Sequence, residues 1–181
     1  MNRRLFILML VIGLLSLGGQ AQSVQFRFAH LTDLHLSPNN PNPTEDLLRS
    51  VAQINATEGI DFVLVTGDIT EEGDRASMEK AKSCLDLLKV KYYVALGNHE
   101  TKWSDSGCTA FGEIFGSERF EFEHKGFLFL GFNSGPLMRM AYGHVVPQDI
   151  RWMTERMEQA GKDKPVMLVT HYPMKDGDVD N

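Results

Sequence analysis

The strongest constraint on this chain is a juxtaposition that occurs four times. Four short apolar runs, 25–31, 61–66, 92–96 and 166–170, each end directly in side chains that bind protons or metals. The first runs into Asp33-Leu34-His35 and the second into Gly67-Asp68. The third runs into Gly97-Asn98-His99-Glu100 and the fourth into His171-Tyr172-Pro173. Apolar runs of this length, bounded by turn formers, read as buried strands. Helical patterns lie between them. Leu47, Leu48, Val51 and Ile54 mark one helix face, and Met78, Ala81, Leu85 and Leu88 mark another. Asp74 is placed to cap the second of these helices. Pro147 opens a later one, with Ile150, Met153 and Met157 inward and Gly161 near its end. The stretches 120–123 and 127–132 flank a Lys125-Gly126 turn and read as a hairpin. Strands alternating with helices define an α/β fold with parallel pairings. In such sheets the site lies just beyond the carboxyl ends of the strands.

Asp33 and Asp68 are 35 residues apart, and Asp68 and Asn98 are 30 apart. Those are single strand–helix–strand intervals, so successive motifs fall on sequential strands of one sheet. Asp and Asn supply hard oxygen donors and His supplies neutral nitrogen. That mixture suits Mn, Fe, Zn or Ni and is unlike an all-oxygen calcium site. Any one of these motifs alone is a common loop or turn. Their recurrence in order, at the ends of strands, is what points to a metal centre. Gly67 and Gly97 permit tight turns out of the strands.

With those four motifs the chain resembles the calcineurin-like metallophosphoesterase superfamily over residues 26 to 181. The resemblance implies a β-sandwich flanked by helices and two divalent metal ions at the strand ends. Matched motif by motif, Asp33 and His35 are expected to ligate the first metal. Asp68 is expected to bridge both, and Asn98 and His171 to ligate the second. His99 matches the catalytic histidine, which contacts substrate rather than metal. The family closes its site with Gly-His-x-His, one histidine per metal. That motif is missing from this sequence, so the phosphoesterase domain, residues 22–181, is expected to be C-terminally incomplete. Gly143-His144 is only a faint match, because Val146 stands where the second histidine belongs.

The implied activity is hydrolysis of a phosphomonoester or phosphodiester by metal-activated water, with a small-molecule phosphoester as the partner. The alternative is a catalytically inactive metal-binding scaffold of the same fold; His99 beside an intact ligand set favours the enzyme. Glu71 stands where purple acid phosphatases carry a tyrosine, which argues against a ferric-tyrosinate site. Glu71-Glu72 also replaces the Asp-Arg pair of serine/threonine protein phosphatases. The wording around Asp33 and Asp68 is more similar to the bacterial branch that includes cyclic-nucleotide phosphodiesterases.

The first 21 residues are expected to be a secretory signal peptide. Arg3 and Arg4 precede an apolar run of 13 residues, Leu5 to Leu17, and small residues follow at Gly18, Gly19 and Ala21. The run is short of the roughly 20 residues a membrane span requires, so no span is expected after cleavage. The mature protein is then periplasmic or secreted. Removing this leader takes the net charge from −6 to −8, since it holds two Arg and no acid. No basic stripe marks a nucleic-acid surface. Export permits a disulfide between Cys84 and Cys108, although Cys84 lies on a helix face and reads equally as a buried thiol. His30 is expected to be packed and His124 solvated. Asp176, Asp178 and Asp180 are expected to form a solvated acidic tail.

Overall fold

The computed structural model describes residues 25–136 and 142–173. The leader and the acidic tail of the preceding section lie outside them. No helix among the described residues is long and apolar enough to cross a membrane.

Two three-stranded sheets pack face to face. The first comprises β1 (Phe28–Leu31), β2 (Phe62–Thr66) and β3 (Lys91–Ala95), all parallel and in sequential order. The crossovers are α1 (Asn42–Ala56) and α2 (Arg75–Leu85). After β3 come a short π-helical turn, His99–Trp103, and α3 (Thr109–Phe115). The second sheet pairs β4 (Phe120–His124) antiparallel with β5 (Phe127–Gly131), and β5 parallel with β6 (Val166–Val169). The connection from β5 to β6 contains α4 (Pro147–Ala160).

Strand alternation sorts the core into layers. Val63 and Val65 of β2 face Leu47 and Val51 of α1 and Met78, Ala81 and Leu85 of α2. Phe62 and Leu64 face the opposite way, toward Phe129 of β5 and Val169 of β6. Leu128 and Leu130 of β5 face α4 through Met153. The order is therefore helices, sheet, sheet, helix: the expected sandwich flanked by helices. The middle layer is unusually aromatic. Phe122 stacks on Phe129 at 4.5 Å and on Tyr93 at 3.8 Å, and so joins the two sheets.

The local signals hold where a specific contact enforces them. Asp74 caps α2 by accepting from Ser77 N–H at 2.9 Å. Pro147 opens α4, and Gly161 ends it at φ 83°. Four expectations need correction. Leu48 is exposed, so the buried stripe of α1 is Leu47 and Val51. On α4, Ile150 is 51% exposed and Met157 37%, while Asp149 is buried against Arg119. His30 is exposed rather than packed; its Nε2 lies 2.7 Å from Thr66 Oγ1. His124 is half-buried rather than solvated, edge-on to Phe26 and Phe62. Both cysteines are free thiols. Cys84 is buried, and burial pushes the Cys108 thiol up to about 12.

Candidate metal centre

The site forms where the loops after β1, β2 and β3 are joined edge to edge. Asp33 N–H donates to Gly67 O at 3.1 Å, His35 N–H to Asp68 O at 3.0 Å and Leu36 N–H to Ile69 O at 2.9 Å. The parallel pairing thus continues past the strands and fixes the register of one ligand loop on the next. Gly67 and Gly97 stand back to back. A Cβ on Gly67 would meet the Gly97 backbone at 2.7 Å, and one on Gly97 would meet Asp68 Oδ1 at 2.1 Å. Only glycine allows β2 and β3 to release their loops this closely.

Three candidate ligands have left-handed backbone: Asp33 at φ 55°, His35 at φ 48° and Asp68 at φ 48°. Each such residue costs of order 1–3 kcal/mol, and such strain concentrates at functional sites. Here it turns the side chains inward to a common point.

His35, Asp68 and His99 each offer a donor atom within 4.8 Å of the others, and so do Asp33, Asp68 and His171. Asp68 belongs to both groups. His171 Nε2 is 3.4 Å from Asp68 Oδ2 and 3.1 Å from Asn98 Oδ1. His35 Nε2 lies 3.7 Å from Asp33 Oδ1 and 4.0 Å from Asp68 Oδ2. All five expected ligands and His99 therefore meet at one place. The grouping differs from the expected sharing in two respects: Asp33 stands with His171 as well as beside His35, and His99, expected to face substrate, stands among the donors with His35 and Asp68.

The histidines are oriented from behind. His171 Nδ1 lies 2.8 Å from Thr66 O, and His99 Nδ1 lies 2.5 Å from Glu71 O. A carbonyl only accepts, so both Nδ1 atoms carry the proton and both Nε2 lone pairs face the cluster. That arrangement is how proteins fix a metal-binding imidazole. His35 Nδ1 is 3.0 Å from Glu71 Oε2 but out of line for a hydrogen bond, which leaves it buried without a partner. Burial pushes the Asp68 carboxyl up, but His171 and the His99 N–H outweigh it and hold it below the usual carboxylate range. Burial likewise pulls His171 down, and Asp68 more than reverses this. Buried carboxylate, amide oxygen and imidazole nitrogen in this mixture fit divalent transition metals.

Glu100 ends the third motif, and nothing in the sequence marks the part it plays. Its side chain is fully buried. Oε1 accepts from Thr70 N–H and Thr70 Oγ1–H, each at 3.0 Å, and Oε2 accepts from Gly97 N–H at 2.9 Å. It clasps the Asp68 loop to the Asn98 loop. Burial raises its carboxyl above the ordinary value. His144 takes no part in either cluster and is exposed, while Gly143 packs close to Tyr172.

An α/β sandwich with a multi-ligand centre at its strand ends defines a metal-dependent class of protein. The chain belongs to the calcineurin-like phosphoesterase family, whose model matches residues 26–180. It is 22% identical to a 3',5'-cyclic-nucleotide phosphodiesterase of Nostoc sp., over 84% of this chain and 58% of that protein. A probable cyclic nucleotide phosphodiesterase of Rhodopseudomonas palustris is 25% identical over 81% of this chain and 57% of that one. A probable glycerophosphodiester phosphodiesterase of Arcobacter nitrofigilis is 26% identical over 65% and 44% respectively. The chain thus spans about half the length of these curated relatives.

Proposed function

We propose that the protein hydrolyses phosphoester bonds with water activated at a two-metal centre. The observation that carries this reading is the sharing of Asp68 between two donor groups, one with His35 and His99 and the other with Asp33 and His171. Asn98 completes the set through its contact with His171. Bound divalent ions supply Lewis-acid neutralisation of the phosphoryl oxygens and lower the pKa of water. The chain's own residues do the rest. Asp68, ionised at neutral pH, holds negative charge at the middle of the site. Thr66 O and Glu71 O keep the His171 and His99 rings turned inward. As water adds to phosphorus and gives up a proton, the ester P–O bond breaks, and the leaving oxygen takes up a proton by way of His99 Nε2. The relatives' names include phosphodiesterases, and diester hydrolysis is the reading we favour. The leader-like order of residues 1–21 supports export, so this chemistry would take place in the periplasm or outside the cell.

Protein expressed from its full reading frame should hydrolyse bis(4-nitrophenyl) phosphate when supplied with manganese. His99→Ala should lower turnover by about 10²–10⁴-fold at unchanged metal content. No manganese-dependent turnover in the parent protein would leave the metal-binding scaffold as the correct reading. Loss of metal in the variant would make His99 a ligand.

A further inference from the structure

Beside the metal centre lies an open cleft of about 380 Å³ lined by Glu71, Glu72, Asn98, His99, Lys102 and Trp103. Pockets of this size suit small organic ligands. Asn98 and His99 belong to both the cleft and the candidate centre. An ester whose phosphoryl group lies on the metal cluster therefore has its organic part directed into this cleft.

The cleft is built in advance. Its two walls are the Glu71-Glu72 loop and the π-helical turn His99–Trp103, a form of helix frequent at functional sites. Gly73 docks one wall on the other. A Cβ there would meet His99 O at 2.6 Å and Ser104 N at 2.8 Å, so only glycine permits the approach. Thr70 Oγ1 accepts from Gly73 N–H at 3.0 Å and donates to the buried Glu100, tying the cleft to the ligand loops. Trp103 is 51% exposed, and the Lys102 ammonium sits 4.9 Å from its ring centroid. That contact holds the indole while much of it remains open.

The lining selects by chemistry. Two carboxylates against the single ammonium of Lys102 leave the lining net negative, so it disfavours a second anionic group and accepts hydrogen bonds from hydroxyls. An exposed indole offers a flat stacking surface that a small aliphatic alcohol does not use. Hydroxyls next to the phosphate and a planar ring beyond them describe a nucleoside. We propose that this cleft is a nucleoside subsite, with the base stacked on Trp103 and the ribose hydroxyls received by Glu71 and Glu72. The proposal rests on the reading of the cluster as the phosphoryl site.

Calorimetric binding of adenosine 5'-monophosphate and of ribose 5-phosphate to the manganese-loaded protein tests it, because the two share the phosphate and ribose and differ at C1, where the base replaces a hydroxyl. The nucleotide should bind roughly 5- to 150-fold tighter, the range for one base stacked on one aromatic side chain. Trp103→Ala should close most of that gap, and Trp103→Phe should keep most of it. Equal affinity for the two ligands, or an undiminished gap in Trp103→Ala, overturns the subsite. It does so without touching the phosphoesterase reading, which is scored by manganese-dependent turnover. Failure of both ligands to bind overturns the phosphoryl site and the subsite together.

Discussion

Glu100 is the residue on which the site's shape depends most and which the sequence announced least. Both of its oxygens face donors: Thr70 N–H and hydroxyl on one side, Gly97 N–H on the other. A glutamine cannot satisfy all three. With its oxygen toward Thr70, its NH₂ group points at the Gly97 N–H, donor against donor. Leaving one buried polar group unpaired costs about 1–3 kcal/mol. Glu100→Gln should therefore lose that much stability, read by urea denaturation, and should bind manganese more weakly because Gly97 adjoins Asn98. A variant with unaltered stability and metal affinity would remove the clasp from the account. The meeting of the six residues at the cluster was legible because donor chemistry shows in residue type. Glu100 was not, because a buried carboxylate serving three backbone and hydroxyl donors has no sequence signature. The left-handed backbone of Asp33, His35 and Asp68 was equally hidden. Aspartate tolerates that region better than most residues, but nothing in the sequence required it here.

At the scale of elements, the strands and caps were readable and the orientation of α4 was not. The pattern Ile150, Met153, Met157 is a sound helical stripe, but one residue's step turns a helix face by about 100°. The ion pair decides the matter. Asp149 is 4% exposed and its carboxylate meets Arg119 Nε, which draws the start of α4 around toward the β3–β4 connection. Arg119 also lies over the Trp152 ring, 5.6 Å from its centroid. Ile150 is left outside. Arg119→Ala strands a buried carboxylate, a loss that costs roughly 3–5 kcal/mol when a pair is fully buried. Arg119 is partly exposed, so the lower end of that range is expected, measured as a shift of the denaturation midpoint. Replacing both partners with apolar residues should recover most of it. If Arg119→Ala is neutral, packing alone orients α4. The π-helical turn and α3 went unread for a related reason. A five-residue turn is too short for apolar periodicity, and it is held by tertiary contacts to Gly73 and Thr70.

The whole molecule explains why ligands from distant parts of the chain coincide. Asp33, His35, Asp68 and Asn98 follow strands of the first sheet, whereas His171 follows β6 of the second. The site closes only if the sheets hold a fixed spacing, and the aromatic layer between them sets it. Phe62 is in ring contact with Phe28, Phe122 and Phe129, one on its own sheet and two on the other. Aromatic pairs of this kind add about 0.5–1.5 kcal/mol each beyond burial, and their flat stacking resists sliding. The fold thus brings the five expected ligands and His99 to one point, with Asp68 common to both donor groups. That shared carboxylate is the central claim, and manganese content measured together with turnover in Asp68→Asn tests it most directly. Two ions per parent chain and fewer than two in the variant are predicted, with turnover reduced by more than the roughly 10–100-fold that loss of an outer metal partner causes. An Asp68→Asn protein that keeps two ions and near-parental turnover would contradict the account.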